Sequence, residues 1–552
     1  MALGLAACRG ATEPRGRQID CTGEPVTSLT PGGFALLDPA ATGGCLRLPA
    51  AAAGGAEHLV VVLSANGQET PGGVHGSFSL AGGAENPAAA VSPSPVPSAF
   101  QHREGAPVDF HAELRARERR LAMGPSLALS LRGGRGISSP PPVVGDSRDF
   151  QVCGSVACTG YVTVRATARY VGANSAVFVD DTVPSGGFTS QDITTIGELF
   201  DQQLYPIDTT AFGRESDLDG NGLVIALLTD QINRLSPDCD ATGQAVSGYF
   251  LGTDLDLSDP NSNRGEVFYS RVPDPAHPLC FSKDIVLQFL APTFIHEFQH
   301  MISFNRHVLL PCAVQGRCGS PPEETWLNEG LSHFAEELGG RRVAPGSCSG
   351  SNCLNQFVAA DIRDAAAYLD DPEGAYLVEP AESGGTLAER GANWLFIRWL
   401  ADRSPGDPLL GTDVTRRLLG AEQPGGITLT GAATVIAAAQ LFQPGATLPE
   451  LLGQWHAANY VEHLPRFNDP SGRLSYTSWD LQSAIDQLVP GPYPLRPDST
   501  SGAGYTASGT LRGGSGKYLR IVQVAGQQGV ALDLTTGNAA PVMPRLAVVR
   551  IR

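Results

Sequence analysis

The stretch Ala291-Pro-Thr-Phe-Ile-His-Glu-Phe-Gln-His-Met-Ile302 decides the fold of the central region of this chain. It contains His296-Glu297-x-x-His300 among apolar residues that are typical of a helix buried against a core. Residues four apart share one face of a helix, so the two imidazoles can bind one zinc ion with Glu297 beside its water. Because a bare match arises by chance on the order of once in a hundred such chains, the context has to decide.

A catalytic zinc site needs a third protein ligand and an open position for water. A third histidine six residues beyond His300 is excluded, because Arg306 stands there and Ser303 replaces the glycine of that motif. The next amphipathic segment, Thr325-Trp-Leu-Asn-Glu-Gly-Leu-Ser-His-Phe-Ala-Glu-Glu337, carries an acidic residue on its face. Residues 326–330, which include Glu329, resemble the second motif of the gluzincin metallopeptidases, in which the glutamate is the third zinc ligand.

Together the two segments resemble the hyicolysin-type family of secreted bacterial zinc metallopeptidases, and the resemblance covers about residues 150–400. It implies that His296, His300 and Glu329 bind one Zn²⁺, that Glu297 is the general base, and that the substrates are proteins or peptides. The alternative is two helices that carry these residues for structural reasons. The order and register of both motifs disfavour it.

Side chains that hold the imidazoles are expected on the second helix. His333 lies one turn and Glu336 two turns beyond Glu329. We favour Glu336, because a carboxylate can accept the free ring N–H of a ligating histidine. Exposure of Glu336 to solvent is the alternative.

The oxyanion-stabilising residue is not identified by the sequence. Related gluzincins use a tyrosine or histidine from a later helix, and aminopeptidase relatives have Tyr-Glu-Lys-Gly-Ala there. This chain has Ala388-Glu-Arg-Gly-Ala392, with Ala388 at the tyrosine position. Four other side chains are candidates: Tyr376, Tyr368, Arg390 and His333.

The resemblance favours an endopeptidase, because the Gly-x-Met-Glu-Asn motif that aminopeptidases use to hold a free N-terminus is absent before His296. Two alternatives stay open. One is an exopeptidase. The other is a catalytically impaired cell-surface binding protein that retains a structural zinc site.

A second cation site is suggested by Asp217-Leu-Asp219-Gly-Asn221-Gly-Leu-Val224, which matches the first eight positions of an EF-hand loop. Leu228 occupies position twelve, where the bidentate glutamate belongs, so a full EF-hand is excluded. A looser Ca²⁺ site at Asp217, Asp219 and Asn221 is one interpretation. A turn leading into a strand is the other.

Composition narrows the class of protein. A chain of 552 residues is longer than a single hydrophobic core usually spans, so two or three domains are expected. The formal charge of −18 has the wrong sign for nucleic acid, which excludes that partner. No apolar run is long enough to cross a membrane. The oligomeric state is not predicted.

Eleven cysteines indicate the compartment. Ten of them form neighbouring couples and no CxxC occurs, which favours disulfides over zinc ligands and predicts an extracellular, cell-surface or periplasmic protein. The family resemblance implies that it is bacterial. Their connectivity is left open. Leu5-Ala-Ala-Cys8 looks like a lipobox, so Cys8 is a candidate for lipidation and membrane attachment. The preceding residues are too few for a signal segment, and a free cysteine near a frayed terminus is the alternative.

The expected architecture is multidomain: an α+β gluzincin-like catalytic domain with thermolysin-like zinc helices, flanked by small all-β modules. The mixed charge of the helix expected at 110–122 predicts a solvated face, with a propeptide-like role as the alternative. The predicted boundaries are 1–20 for a truncated lipoprotein signal and tether, 21–83 for an N-terminal β-sandwich-like domain, 84–149 for Pro/Gly-rich linkers with that one charged helix, 150–487 for the zinc metallopeptidase domain, and 488–552 for a C-terminal β-module.

Overall fold

A computed structural model describes residues 19–84, 110–125, 127, 139–242, 245–348, 352–404, 409–420, 428–537 and 539–552. Cys8 and most of the two linkers lie outside these ranges, so lipidation stays a prediction. Within the described residues the protein is a mixed α+β structure with three sheets, as the sequence predicts in general terms.

The strands and helices are numbered along the chain. The strands are β1 Phe34–Leu37, β2 Cys45–Leu48, β3 Ala56–Ser64, β4 His75–Ala84, β5 Ser147–Cys153, β6 Tyr161–Val171, β7 Ser175–Asp180, β8 Val224–Leu228, β9 Gly248–Phe250, β10 Val267–Ser270, β11 Asp498–Thr500, β12 Thr506–Arg512, β13 Gly516–Gln523, β14 Val530–Thr536 and β15 Pro544–Arg550. The helices are α1 Phe110–Met123, α2 Ser190–Leu199, α3 Tyr205–Phe212, α4 Asp230–Asn233, α5 Cys239–Thr242, α6 Pro278–Phe281, α7 Lys283–Phe304, α8 Leu310–Gln315, α9 Thr325–Arg342, α10 Cys353–Asp370, α11 Leu387–Ala401, α12 Thr412–Gly420, α13 Gly431–Ala439, α14 Leu448–Val461, α15 Leu481–Leu488 and α16 Ala539–Val542.

The central sheet has the order β5-β6-β7-β8-β10-β9. Its middle strands β7, β8 and β10 run parallel, and all five residues of β8 are apolar and buried, as expected for a strand covered on both faces. The short strand β9 pairs antiparallel with β10 and forms one edge of the sheet. Helix α7 packs against β9 and β10, so the edge strand lies beside the His-Glu-x-x-His motif.

Aromatic rings anchor helix α7 to Phe200, the residue that directly follows α2. Phe294 and Phe298 both make edge-to-face contacts with Phe200, at centroid distances of 5.8 and 5.4 Å. The Ser282 side chain caps the first turn by accepting from Ile285 N. These contacts fix the rotation of α7, and therefore the direction in which its histidines point.

The terminal strands correct the predicted domain organisation. One sheet has the order β1-β15-β3-β13-β11 and the other β12-β4-β14-β2, so both sheets mix strands from residues 34–84 and 498–550. The prediction of two separate β-modules is wrong in this respect, because the two segments form one sandwich. Strand β3, buried in all nine positions, is paired on both edges with strands from the far end of the chain. Such pairing leaves no trace in local periodicity.

Helix α1 forms where the sequence predicts it, but its charged face is not solvated. Arg115 and Glu118 are each 2% exposed. Leu114 belongs to the core under the central sheet and Leu121 to the main helical core. These two charges are therefore compensated inside the protein, and the prediction of a solvated face is wrong for this part of the helix.

The predicted disulfides are confirmed, and the ten described cysteines pair consecutively along the chain. The bonds are Cys21–Cys45, Cys153–Cys158, Cys239–Cys280, Cys312–Cys318 and Cys348–Cys353. Five disulfides fit an oxidising, extracellular location. Among the described helices, none combines the length and the apolar character needed to cross a bilayer.

His456 on α14 joins the helical region to the sandwich. Its Nε2 lies 2.9 Å from the Gly514 carbonyl and its Nδ1 lies 2.7 Å from the Tyr518 hydroxyl. The neutral ring can donate to the carbonyl and accept from the hydroxyl. Burial lowers the pKa of His456 to about 4, although the Gly514 carbonyl opposes this shift.

Acid should therefore destabilise the protein through His456. Between its ordinary pKa of 6.5 and its lowered value of about 4, the unfolded chain binds a proton that the folded chain does not. Its contribution to stability is complete above pH 6.5 and falls on acidification, by at most about 1.4 kcal/mol per pH unit. Denaturant unfolding at several pH values should show a shallower dependence for His456→Gln. The same change at the exposed His75 should leave the dependence as in the wild type.

Candidate metal centre

Helices α7 and α9 bring together the three residues predicted to bind zinc. The Nε2 atoms of His296 and His300 lie 3.2 Å apart. Each lies 3.7 Å from a different carboxylate oxygen of Glu329. Ligands that surround zinc tetrahedrally at its usual bond lengths are separated by roughly 3.3 to 3.4 Å. The spacing of the three side chains therefore suits one tetrahedral ion.

The environment of Glu329 supports the fit of a cation. The residue is 1% exposed, and neither carboxylate oxygen has a hydrogen-bond partner among the described residues. The nearest cationic group is the Arg390 guanidinium, whose Nη1 lies 3.9 Å from Oε2. A buried carboxylate that lacks hydrogen bonds is unfavourable unless a positive charge compensates it. Two imidazoles and a carboxylate are also the donor set of many catalytic zinc sites.

Glu336 lies where the sequence predicts a partner for the imidazoles. Its Oε1 is 2.8 Å from His296 Nδ1 and 3.0 Å from His333 Nδ1. On the far side, His333 Nδ1 is 2.8 Å from Asp361 Oδ1 of α10. Because His296 uses Nδ1 for this bond, its Nε2 lone pair is left for a metal. His296, His333 and Glu336 also lie within 4.8 Å of one another, but hydrogen bonds already account for that group.

The charges of this pocket strongly favour a cation. Burial lowers the pKa of His296, but its contacts with Glu329 and Glu336 outweigh burial and raise that pKa to about 9. Burial raises the pKa of Asp361 to about 7, with the nearby Glu336 adding to the rise and His333 opposing it. The same carboxylates that attract a proton in the metal-free pocket can attract Zn²⁺.

His300 is positioned by residues that the sequence did not reveal. Its Nδ1 lies 3.1 Å from Ser332 Oγ, which in turn donates to Gln299 Oε1 at 2.5 Å. This chain of bonds leaves Nε2 of His300 directed at Glu329. The only sequence signal was the position of Ser332, three residues beyond Glu329 and therefore on the same helix face.

Glu297 is held by the edge strand. Its Oε2 accepts the backbone N–H of Phe250 on β9 at 2.8 Å. Burial raises the pKa of this carboxyl group, while His296 and Arg115 lower it. The contact uses a backbone amide, so no residue type in the sequence announces it.

Of the four candidates for oxyanion stabilisation, two lie at the candidate metal centre and two contact other parts of the protein. His333 contacts Glu336, and Arg390 approaches Glu329, so both lie at the metal centre. Tyr368 stacks on Trp455 in the helical core, at a centroid distance of 5.6 Å. The remaining candidate, Tyr376, faces Arg512 near the sandwich. Ala388 provides no polar group at the start of α11.

The predicted calcium residues take different places. One oxygen each of Asp217, Asp219 and Glu266 lie within 4.8 Å of one another. Asn221 instead completes the turn. Its side-chain nitrogen Nδ2 donates to Asp219 Oδ2, and its side-chain oxygen Oδ1 accepts the backbone N–H of Leu223. Glu266 is not in the predicted set, because it lies far along the chain from the aspartates, immediately before β10.

Sequence comparison relates this chain to metallopeptidases. It is similar to the neutral metalloprotease ShpI of Staphylococcus hyicus, with 30% identity over 174 residues, which are 31% of this chain and 36% of that protein. The aligned part thus spans about a third of the length of this relative. No family model matches the chain.

A comparison with solved structures finds an M1 zinc metallopeptidase from Deinococcus radiodurans, a mutant bound to a Tyr-Ser-Ala substrate. The TM-score is 0.28 and the identity 12%, over 57% of this chain and 61% of that one.

Glu336→Gln should weaken zinc binding by about 10- to 100-fold, because an amide replaces the charged acceptor that orients His296. A zinc titration against a competing chelator would measure this. The matched change Glu198→Gln, on the exposed face of α2, should leave zinc affinity unchanged. Equal affinities for all three proteins would contradict a positioning role for Glu336.

Proposed function

We propose that this chain is a secreted zinc-dependent endopeptidase. The observation that carries the proposal is the convergence of His296, His300 and Glu329 on one buried point, with Glu297 on the next position of the same helix. The similarity to the neutral metalloprotease supports it.

The chain's own residues divide the catalytic work. His296, His300 and Glu329 would hold Zn²⁺, which when bound lowers the pKa of water towards about 7 and polarises the scissile carbonyl. Glu297 accepts a proton from the attacking water and returns it to the leaving amine. Glu336 and Ser332 keep the imidazoles oriented throughout. No covalent bond forms between the protein and the substrate.

Arg390 is the residue we favour for stabilising the oxyanion. It comes from α11, the later helix from which relatives supply a tyrosine, and its Nη1 approaches Glu329 at 3.9 Å. Its Nε and Nη2 donate to the Gly384 carbonyl at 3.2 and 3.0 Å, which fixes the guanidinium plane. A fixed cation beside the site can stabilise the negative charge that develops on the substrate oxygen.

The endopeptidase assignment rests on the missing motif for a free N-terminus, and secretion rests on the five disulfides. Attachment of the protein to a membrane through a lipid on Cys8 is part of the same proposal. So is a second bound ion, Ca²⁺.

Glu297→Gln should retain zinc and lower the rate of peptide hydrolysis by about 10² to 10⁴, because the general base is lost while the ligands remain. Metal analysis and casein digestion on the same preparation would show both effects. Glu198→Gln is the matched control and should keep full activity. Unchanged hydrolysis by Glu297→Gln would contradict the assignment of the base.

Blocked and unblocked peptides distinguish the alternatives. An endopeptidase cleaves peptides with acetylated N-termini and amidated C-termini, whereas an exopeptidase requires the free end. Bound zinc without chelator-sensitive cleavage of any peptide would favour a binding protein with a structural zinc site.

A further inference from the structure

We propose that Asp217, Asp219 and Glu266 form a Ca²⁺ site at the start of strands β8 and β10. One oxygen of each carboxylate lies within 4.8 Å of the others. Among the described residues, no arginine or lysine forms an ion pair with any of the three. Burial raises the pKa of Asp219 and the charge of Arg148 lowers it, so one arginine is close to the group without forming an ion pair with it. Three carboxylates so close together still repel one another unless a cation binds between them.

Glu266 is the observation that distinguishes this group from a surface cluster of acidic residues. It is 2% exposed, and its Oε1 accepts Ser216 Oγ at 2.6 Å and Leu218 N at 3.0 Å. Its Oε2 is buried and has no hydrogen-bond partner in the described part of the chain. An unsatisfied buried carboxylate oxygen is unfavourable, and a hard cation that prefers oxygen ligands would satisfy it.

The position of the group gives the ion a structural role. The carboxylates of Asp217 and Asp219 lie on the loop that leads into β8, and Glu266 immediately precedes β10. The two strands are parallel neighbours, and Ile225 N donates to the Glu266 carbonyl at 2.7 Å. A cation shared by the loop and Glu266 would therefore fasten the two strands together at the end where both begin.

Zinc-loaded protein without other divalent ions, titrated with CaCl₂, provides the test. We expect the thermal unfolding midpoint to rise with millimolar Ca²⁺ and to respond less to Mg²⁺, which binds poorly to all-protein oxygen sites. Glu266→Gln should abolish the rise. Asp217→Asn, at an exposed position that tolerates the change, should weaken the calcium response by about tenfold or more.

Asp370→Asn is the matched control, because Asp370 is an exposed aspartate at the end of α10, outside the group. It should retain the wild-type response. A wild-type midpoint that does not move, or equal responses of wild type and Asp217→Asn, would overturn the calcium site. Neither result bears on peptide hydrolysis, because the readout is unfolding.

A second proposal, which rests on the proposed peptidase function, concerns α1. We propose that α1 is an intramolecular inhibitor that fills the substrate cleft between edge strand β9 and the start of α9. The metal centre is closed in its presence: His296, Glu297 and Glu329 are 7%, 4% and 1% exposed. On this proposal, a peptide reaches these atoms only after α1 has moved away.

Phe110 and Arg117 attach α1 to the sheet side of the cleft. The ring of Phe110 packs edge-to-face on Tyr249 of β9 with a centroid distance of 5.0 Å. Arg117 Nη2 donates to the Cys158 carbonyl at 2.7 Å and to the Ala157 carbonyl at 3.2 Å.

The second half is attached to the helical side. Arg119 Nη1 donates to Thr325 Oγ1, at the first residue of α9, over 3.2 Å. Its Nη2 donates to the Ala381 carbonyl, and its Nη1 forms an ion pair with Glu69 Oε1 at 3.5 Å. The helix therefore spans the cleft from one wall to the other.

The middle of α1 approaches the catalytic groups. Arg115 and Glu118 form a buried ion pair of 3.1 Å. A Cβ placed on Gly252, just beyond β9, would lie 2.8 Å from Glu118 Cγ, so only glycine allows this packing. The guanidinium of Arg115 is also near enough to lower the pKa of Glu297 against the effect of burial. An arginine of α1 thus supplies positive charge beside the carboxylates of the metal centre.

The contacts of Arg119 can be removed without touching the metal centre. Arg119→Ala in the zinc-loaded full chain loses several hydrogen bonds across the cleft, and we expect kcat/KM for a quenched peptide to rise by about tenfold. Arg120→Ala is the matched control, because Arg120 is 63% exposed and pairs only with Glu113 of the same helix among the described contacts. Arg117→Ala tests the opposite wall if Arg119→Ala does not fold.

A synthetic peptide of residues 110–123 should inhibit the activated variant when added in trans. Equal rates for wild type, Arg119→Ala and Arg117→Ala would overturn the inhibitor while leaving the peptidase intact. Absence of cleavage by every zinc-loaded form would overturn the proposed function, and the inhibitor with it.

Discussion

The buried carboxylate of Glu329 is the constraint on which the helical region of the protein depends. It lies between two imidazoles, and no hydrogen bond reaches either oxygen from the described residues, an arrangement that is unfavourable in a folded protein unless a cation completes it. The surrounding contacts keep this arrangement from relaxing. Glu336 and Ser332 fix the two rings from behind, and the aromatic cluster around Phe200 fixes the helix that carries them. The ion site and the core therefore specify each other.

The local part of this site could be predicted from the sequence, because helical spacing places residues four apart on one face. His296, His300 and Glu329 follow from that rule together with the family resemblance, and Glu336 follows from its position two turns further on. Other parts could not be predicted. Phe250 contributes only a backbone amide from 47 residues upstream. Glu266 comes close to Asp217 and Asp219 only once the parallel strands β8 and β10 have paired.

Helix α1 shows the limit of judging a helix by its charge. Four arginines and two glutamates in 14 residues predict a solvated surface, yet Arg115 and Glu118 are buried as a pair, and two other arginines find partners on two separate walls. The predicted separation of two β-modules is wrong for a related reason. Strand β3 and its neighbours β13 and β15 are over 400 residues apart, and alternation along a strand indicates that it has a buried face without indicating which strand lies next to it.

The mixed sandwich has a consequence for how the protein is made. Residues 56–64 emerge early in synthesis, but both edges of β3 stay unpaired until residues 516–550 exist. An unpaired apolar strand is a template for aggregation, so the early segment needs protection while the rest of the chain is synthesised. Through His456 the sandwich also holds the helical region. A prematurely ended chain therefore lacks the closure that stabilises its own beginning, and the cell's proteases can recognise it as unfinished.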